Sequence, residues 1–444
     1  DSLTTLQQLA AFHRKTTGVP VLGITGTNGK TTTKELVSAV LSKKYNVVYT
    51  QGNFNNHLGV PLTLLRIRPE TELAVVEMGA NHPGEIKMLA DLGMPDYGII
   101  TNIGKAHLEG FGSFEGVIRT KNEMYQYISE HNGTLFVNAD NPLLIDLSRS
   151  INNKVTYGTC GGADVKGRML SANPYLSVEW NGQYIDTQLV GDYNVENVMA
   201  AVCVGSFFKV TPHDIVTALS SYCPANNRSQ IIKTPKNRVV MDAYNANPTS
   251  MSHAIKNFRN ICQDDNLLIL GDMRELGGES QNEHETIFKT LKELGFKDVM
   301  LVGPEFSKVA ENSGYMTFKD VDDLSKFIEN HPARKKATLE YKIAKSKNSR
   351  ELALRKIEGK VGLTTMKNMK ATGKSLLNVE ARLSKEDMKF FSEIAKRYDL
   401  TFTGLKIKDS DKKELVIFRE DLDKFERVHA RFLKIGRASC RERV

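Results

Sequence analysis

The chain has 444 residues, 40% apolar and 25% charged, a composition ordinary for a soluble globular protein and long enough for two or three domains. No apolar run reaches membrane-span length. Five scattered cysteines without a CxxC pair speak against a disulfide framework or a structural zinc site and fit a reducing cytoplasm. The net charge of +8 is uneven: residues 338–444 hold 27 Lys and Arg against 16 Asp and Glu, leaving 33 basic and 36 acidic residues in the first 337. The basic character belongs to the tail, so bulk charge gives no reason to expect nucleic acid for residues 1–336.

A short helix leads into Pro20, and the apolar run Val21–Thr25 reads as a buried strand. A glycine turn follows, then a helix over about 31–42. Further β-rich runs stand at 73–78, 97–103 and Thr134–Asn138, with helical patterns at 84–91 and Phe114–Glu130 between them. Strands alternating with helices predict an α/β fold with a mostly parallel, doubly wound sheet. Over 154–190 short strands at 155–157, Leu176–Trp180 and 184–189 predict a small antiparallel sheet, closed by a helix over 195–207. Residues 222–227 (YCPANN) read as a hinge into a second, Rossmann-like α/β domain with strands at Arg238–Met241, 267–270 and Val299–Val302. The expected domains are therefore 1–223, 228–336 and a Lys-rich, proline-free α+β tail at 338–434, followed by 435–444.

The loop Gly26-Thr27-Asn28-Gly29-Lys30-Thr31, between strand and helix, is the geometry in which backbone N–H groups and a helix N-terminus converge on phosphate. Lys30 would meet the β- and γ-phosphates, and the Thr31 hydroxyl would ligate Mg²⁺. The match to the general phosphate-loop pattern is imperfect, because Ile24 stands where the first glycine belongs. Glu77 ends a parallel strand, in the crevice where open α/β sheets bind ligands, and suits a hard cation as an oxygen ligand. His107 follows the next strand and is either structural or a ligand, while Lys121 lies in a helix and reads alone as a surface lysine. Asp242, Asn245 and Asn247 follow a buried strand, where they either cap the next helix or read ribose and adenine. Asn194 and Asn197, one helical turn apart, likewise cap or bind. Arg228, at the hinge, reaches a phosphate or forms a salt bridge.

Together these segments resemble the Mur ligases of peptidoglycan synthesis, in their MurF branch. The resemblance rests on residues 23–33 (GITGTNGKTTT), 52–65 (GNFNNHLGVPLTLL), 75–85 (VVEMGANHPGE), 101–112 (TNIGKAHLEGFG), 191–201, 226–230 (NNRSQ), 242–251 (DAYNANPTSM) and 270–277 (LGDMRELG), and spans about 1–335. It implies a cytoplasmic, monomeric ATP-dependent ligase joining UDP-N-acetylmuramoyl-tripeptide to D-alanyl-D-alanine through an acyl phosphate, with two Mg²⁺ ions. It further implies that Thr31 and Glu77 share one Mg²⁺, that His107 ligates the second, and that Lys121 carries a carbamate as an anionic ligand. Asn56 would position carboxylate and phosphate. Asn194, Asn197, Asn245 and Asn247 would frame the adenine, Asp242 the ribose, and Arg228 the phosphates.

The chain also departs from that family. Measured against it, the expectation is that the sugar-binding N-terminal domain is absent, that the last domain stops near 331–336, and that Mg·ATP binding is weak and turnover inefficient. The tail resembles a PcfB-like family of conjugative elements in segments 383–398 and 415–432, and 435–444 (IGRASCRERV) resembles translated sequencing adapter, read as an assembly artefact. The alternatives are another Mur or folylpolyglutamate-type ligase, or a genuine fusion whose basic module binds nucleic acid or a conjugation partner.

Overall fold

A computed structural model describes residues 1–224, 228, 230–233, 238–262, 266–311, 313–330, 338–342, 362–363, 376–383, 401–406 and 413–418. Two units divide the chain, Asp1–Ala344 and Lys345–Val444. The first unit holds two domains, and the first of these contributes nine described strands in chain order: β1 Val21–Thr25, β2 Val47–Tyr49, β3 Leu73–Glu77, β4 Tyr97–Ile100, β5 Thr134–Asn138, β6 Lys154–Gly158, β7 Val165–Ala172, β8 Leu176–Trp180 and β9 Gln183–Asp186. They form one sheet in the order β2-β3-β1-β4-β5-β6-β7-β8-β9.

Period-2 alternation explains why this sheet is covered on both faces. Leu22, Ile24, Val75, Ile99 and Phe136 point to one side, where helices Lys30–Leu41, Asn194–Phe207 and Pro212–Ser221 supply Leu36, Val37, Val202 and Leu219. Val21, Ala74, Val76, Ile100 and Val137 point to the other, against Leu89, Val117, Met124 and Ile128 of helices Glu85–Gly93 and Phe114–Glu130. Each such side chain taken fully out of water contributes roughly 1.5–3 kcal/mol. That is why β1 and β3, buried at every position, are inner strands with a neighbour on each side.

Two expectations shift here. Residues 155–157 belong to β6, which pairs parallel with β5, so the antiparallel part is β7-β8-β9 alone. It extends the large sheet through a short β6–β7 pairing. The run 97–103 ends as a strand at Ile100, and Thr101–His107 leaves the sheet to cross the phosphate loop.

The second domain holds β10 Gln230–Lys233, β11 Arg238–Met241, β12 Asn266–Gly271, β13 Val299–Val302, β14 Met316–Phe318 and β15 Thr338–Lys342, in the order β10-β11-β15-β12-β13-β14. All pairings are parallel except β10–β11. Here again alternate residues feed two cores, Leu268, Leu270 and Leu301 one and Leu267, Ile269 and Met300 the other. Thr338–Lys342, expected as the start of the tail, is instead an inner strand of this sheet, so the boundary falls after Ala344 and not at 336.

The second unit is described in four strands, Gly362–Leu363, Leu376–Leu383, Thr401–Lys406 and Lys413–Phe418, forming one mixed sheet. Most of segments 383–398 and 415–432, all of 435–444, and hinge residues 225–227 lie outside the described residues. Among the described residues no helix is long and apolar enough to cross a membrane.

Candidate active site

The phosphate loop leaves buried β1 and enters helix Lys30–Leu41 through two glycines in left-handed or extended-positive conformations. Gly26 has φ 141°, and a Cβ there would lie 2.0 Å from Thr101 Oγ1; Gly29 has φ 80°, and a Cβ would lie 2.5 Å from Asn197 Oδ1. Backbone conformation and close neighbours both demand glycine. The back of the loop is clamped by the segment after β4. Thr27 N–H donates to Asn102 O (2.9 Å), Asn28 N–H to Asn102 Oδ1 (2.9 Å), and Thr101 Oγ1 donates to Asn28 O (2.6 Å). Among the described residues the amides of Gly29, Lys30 and Thr31 donate to nothing, which makes this helix N-terminus a site for an anion. Lys30 Nζ curls back to the carbonyls of Gly26 and Thr27, both at 2.9 Å. Burial lowers its pKa to about 8, opposed by Glu77 and assisted by Arg228.

Behind the loop, register pairing of Ile24 with Glu77 brings the end of β3 beside Thr31. Glu77 is buried; its Oε1 accepts from Thr31 Oγ1 (3.1 Å) and from Asn55 Nδ2 (2.8 Å). Among the described residues its Oε2 accepts no hydrogen bond, and the nearest cation, Lys34 Nζ at 3.9 Å, is bonded to the Thr50 carbonyl at 2.9 Å. A buried carboxylate oxygen without a donor, beside a hydroxyl and a phosphate loop, fits a hard divalent cation. Among the described residues no three His, Cys, Asp or Glu side chains form a metal cluster. The cation would therefore depend on Thr31, Glu77 and a phosphate.

Asn56 does not join this group. It is exposed, and its Oδ1 accepts from the N–H groups of Leu58 and Gly59 at the start of helix Gly59–Leu64. The neighbouring Asn55 occupies the place beside Glu77. Lys121 is buried, 2% exposed, and is no surface lysine. Its Nζ lies 5.5 Å from the Phe111 ring centre and 3.5 Å from Ala80 O. Burial first, then the Lys30 charge, push its pKa well down, against Glu85 and Glu123. A buried lysine with no carboxylate in contact tends to the neutral, nucleophilic amine. His107, at φ 52°, packs its ring against the same Phe111 and bonds through Nδ1 to Glu275 of the second domain.

The facing wall belongs to the second domain, and a cleft of about 910 Å³ lies between. Arg228 stacks its guanidinium 3.7 Å from the Tyr244 ring centre, with Nε buried and without a hydrogen-bond partner among the described residues. Asp242 and Asn245 line the same cleft. Asn247 does two things at once. Its Oδ1 caps helix Pro248–Ile261 by accepting from Ser250 N–H (2.9 Å), and its Nδ2 donates to Asn28 Oδ1 (2.8 Å) on the phosphate loop. Asn194 and Asn197 do not cap their helix. Asn194 Nδ2 donates to Val190 O, Asn197 Nδ2 to Asn194 Oδ1, and Asn197 Oδ1 accepts from Thr33, so both amides brace one helix against another. A third cross-cleft pairing joins Lys105 to Glu283 at 2.7 Å. Asn55, Asn102 and Glu275 escaped assignment from sequence, although each lies in one of the quoted motifs.

A phosphate loop, an adjacent carboxylate with a free oxygen, and a second α/β domain closing the cleft define a nucleotide-dependent transfer enzyme. Residues 24–205 match the Mur ligase middle domain, and residues 227–345 the Mur ligase, glutamate ligase domain. The chain is 37% identical over 334 residues to the UDP-N-acetylmuramoyl-tripeptide–D-alanyl-D-alanine ligase of Bacillus subtilis, covering 74% of this chain and 72% of that one. With the Escherichia coli enzyme of the same name it shares 32%, over 71% of each chain. The crystal structure of MurF from Acinetobacter baumannii superposes with a TM-score of 0.71 at 30% identity, covering 80% of each chain. MurF ligase from Thermotoga maritima in complex with ADP superposes at 0.68 with 26% identity, covering 78% of this chain and 81% of that one. The chain belongs to the Mur ligases, in the branch of the UDP-N-acetylmuramoyl-tripeptide–D-alanyl-D-alanine ligases.

Proposed function

We propose that this chain forms the amide bond between the terminal carboxylate of UDP-N-acetylmuramoyl-tripeptide and the amine of D-alanyl-D-alanine, with ATP as the energy source, in the cytoplasm and as a monomer. The observation carrying the site assignment is the free Oε2 of buried Glu77 beside Thr31 at the mouth of the phosphate loop. The loop amides and Lys30 hold the phosphates. A carboxylate oxygen of the tripeptide attacks the γ-phosphorus and the bond to ADP breaks, leaving an acyl phosphate. The amine nitrogen then attacks the acyl carbon, passes through a tetrahedral intermediate, and releases phosphate and a proton. Lys30 stabilises charge growing on the transferred phosphoryl group. Arg228, Asp242 and Tyr244 shape the nucleotide side as the second domain closes and water is excluded.

Thr31 and Glu77 would hold one Mg²⁺ and His107 a second, which neutralise phosphate charge and polarise the transferred group. Lys121, with its pKa lowered by burial, suits addition of CO₂ to its neutral nitrogen, yielding a carbamate and a proton and so an anionic oxygen in place of an ammonium. ADP release by the full chain, coupled to mass detection of the product, tests the reading. Release is expected only with both UDP-tripeptide and D-alanyl-D-alanine present. Release that ignores the dipeptide, or that follows a folate substrate with glutamate, refutes it.

A further inference from the structure

Glu275 lies between β12 and the short helical turn Gly277–Glu279, on the second domain. It engages the first domain twice: its carboxylate accepts at His107 Nδ1, and its carbonyl accepts from Glu109 N–H at 3.4 Å. Gly277 packs directly on Glu109. His107 and Glu275 both adopt left-handed backbone conformations, φ 52° and 63°. That conformation costs a non-glycine residue about 1 kcal/mol or more, and such residues gather where surrounding contacts impose them for a purpose.

An ionised carboxylate can only accept, so Nδ1 carries the hydrogen, and in the neutral ring Nε2 keeps its lone pair. Among the described residues Nε2 has no hydrogen-bond partner. The ring lines the same cleft as Lys30. A carboxylate on one ring nitrogen, with the other turned to the site, is the arrangement that orients histidine ligands and raises their basicity.

We propose that Glu275 is a positioning residue: by bonding Nδ1 it fixes His107 in one tautomer, with Nε2 presented to the reaction centre. Because Glu275 arrives on the second domain, the histidine is set only when the domains meet. The inference rests on the ligase reading for the use made of that lone pair. The test uses the full chain, ¹⁵N-labelled at histidine, without nucleotide or metal, with the His107 signals assigned from H107Q. The unaltered chain is expected to show the Nδ1–H tautomer, and E275A to move His107 toward Nε2–H. E275Q keeps a carbonyl acceptor and should keep the tautomer.

In turnover, E275A should lower kcat roughly 10–100-fold, with KM for ATP nearly unchanged, and E275Q should recover most of the loss. A His107 tautomer indifferent to E275A overturns the proposal, as does an E275Q enzyme no better than E275A. Glu275 is 55% exposed, so neither variant removes packing the fold depends on. If the unaltered chain makes no amide product, the ligase reading fails while the tautomer measurement still decides the pair.

Discussion

The two walls of the cleft are built on different terms. On the first, the loop 26–31 is clamped from behind by Thr101 and Asn102, and Glu77 is held by Thr31 and Asn55, all within one domain and largely buried. On the second, the bonds that matter cross the cleft, from Asn247 to Asn28, Glu275 to His107 and Glu283 to Lys105, and several of those side chains are half exposed. The phosphate side is preformed, whereas the nucleotide side is completed by the other domain. Lys30→Met strikes the preformed wall and carries the largest expected effect. On the proposed reading it lowers kcat on the order of 10³-fold, measured as ADP release. Its hydrogen-bond partners among the described residues are two loop carbonyls, so thermal unfolding should shift little. Comparable losses in both measurements would mean that Lys30 supports the loop more than the phosphates.

Preformation also carries a pH signature. Glu196, on helix Asn194–Phe207, lines the first wall, and burial raises its pKa to about 7, with Asp140 adding and the Asn138 hydrogen bond opposing. Its unfolded carboxyl titrates near 4.5, so the folded chain holds the proton that the unfolded chain has released. The stability this group contributes is full below about pH 4.5 and is lost as pH rises to about 7. Glu196→Gln should therefore leave stability at pH 4.5 unchanged and raise it at pH 8 by on the order of 2–3 kcal/mol. Urea unfolding at the two pH values reads the difference. An equal gain at both would trace the effect to packing.

The first wall was also the more legible in sequence. Strand, glycine turn and helix announce a phosphate site locally, and unbroken apolar runs announce β1 and β3 as central strands. The motif 101–112 marked the clamp without saying that Asn102 closes it. What escaped depends on partners far along the chain. Thr338–Lys342 (TLEYK) alternates only Leu339 and Tyr341, too short a pattern to stand out in a Lys-rich stretch; it is a strand because a slot between β11 and β12 pairs both its edges. In β7 most side chains are exposed, so alternation gave no signal. Asn55 and Asn56 are chemically identical neighbours. The bond from Gly79 N–H to Asn55 O at 2.7 Å turns the first toward Glu77, while the second bonds the amides of Leu58 and Gly59 just ahead of helix Gly59–Leu64. The pairing of His107 with Glu275 joins residues 168 apart, which one sequence does not reveal.

The smallest expected effect is the most direct probe of the second wall, because Asn247 combines a cap with a cross-cleft bond. Asn247→Ala removes both and should cost about 1 kcal/mol of stability through the cap alone. Asn247→Asp keeps oxygens for Ser250 N–H and for the longer bond from Asn28 Nδ2 (3.4 Å), but loses the Nδ2 donor of the shorter bond and sets a carboxylate against Asn28 Oδ1. If the cross-cleft bond helps to hold the closed cleft, both variants weaken ADP binding roughly fivefold, the worth of one net hydrogen bond, while only the alanine variant loses the cap. Asn28→Ala should weaken binding by the same factor, and the double variant N28A/N247A by no more than either single one. Isothermal titration with ADP supplies the affinities, and thermal melts supply the stability. Additive losses in the double variant would show that the two amides act on the nucleotide separately, and the second wall would then be as independent as the first.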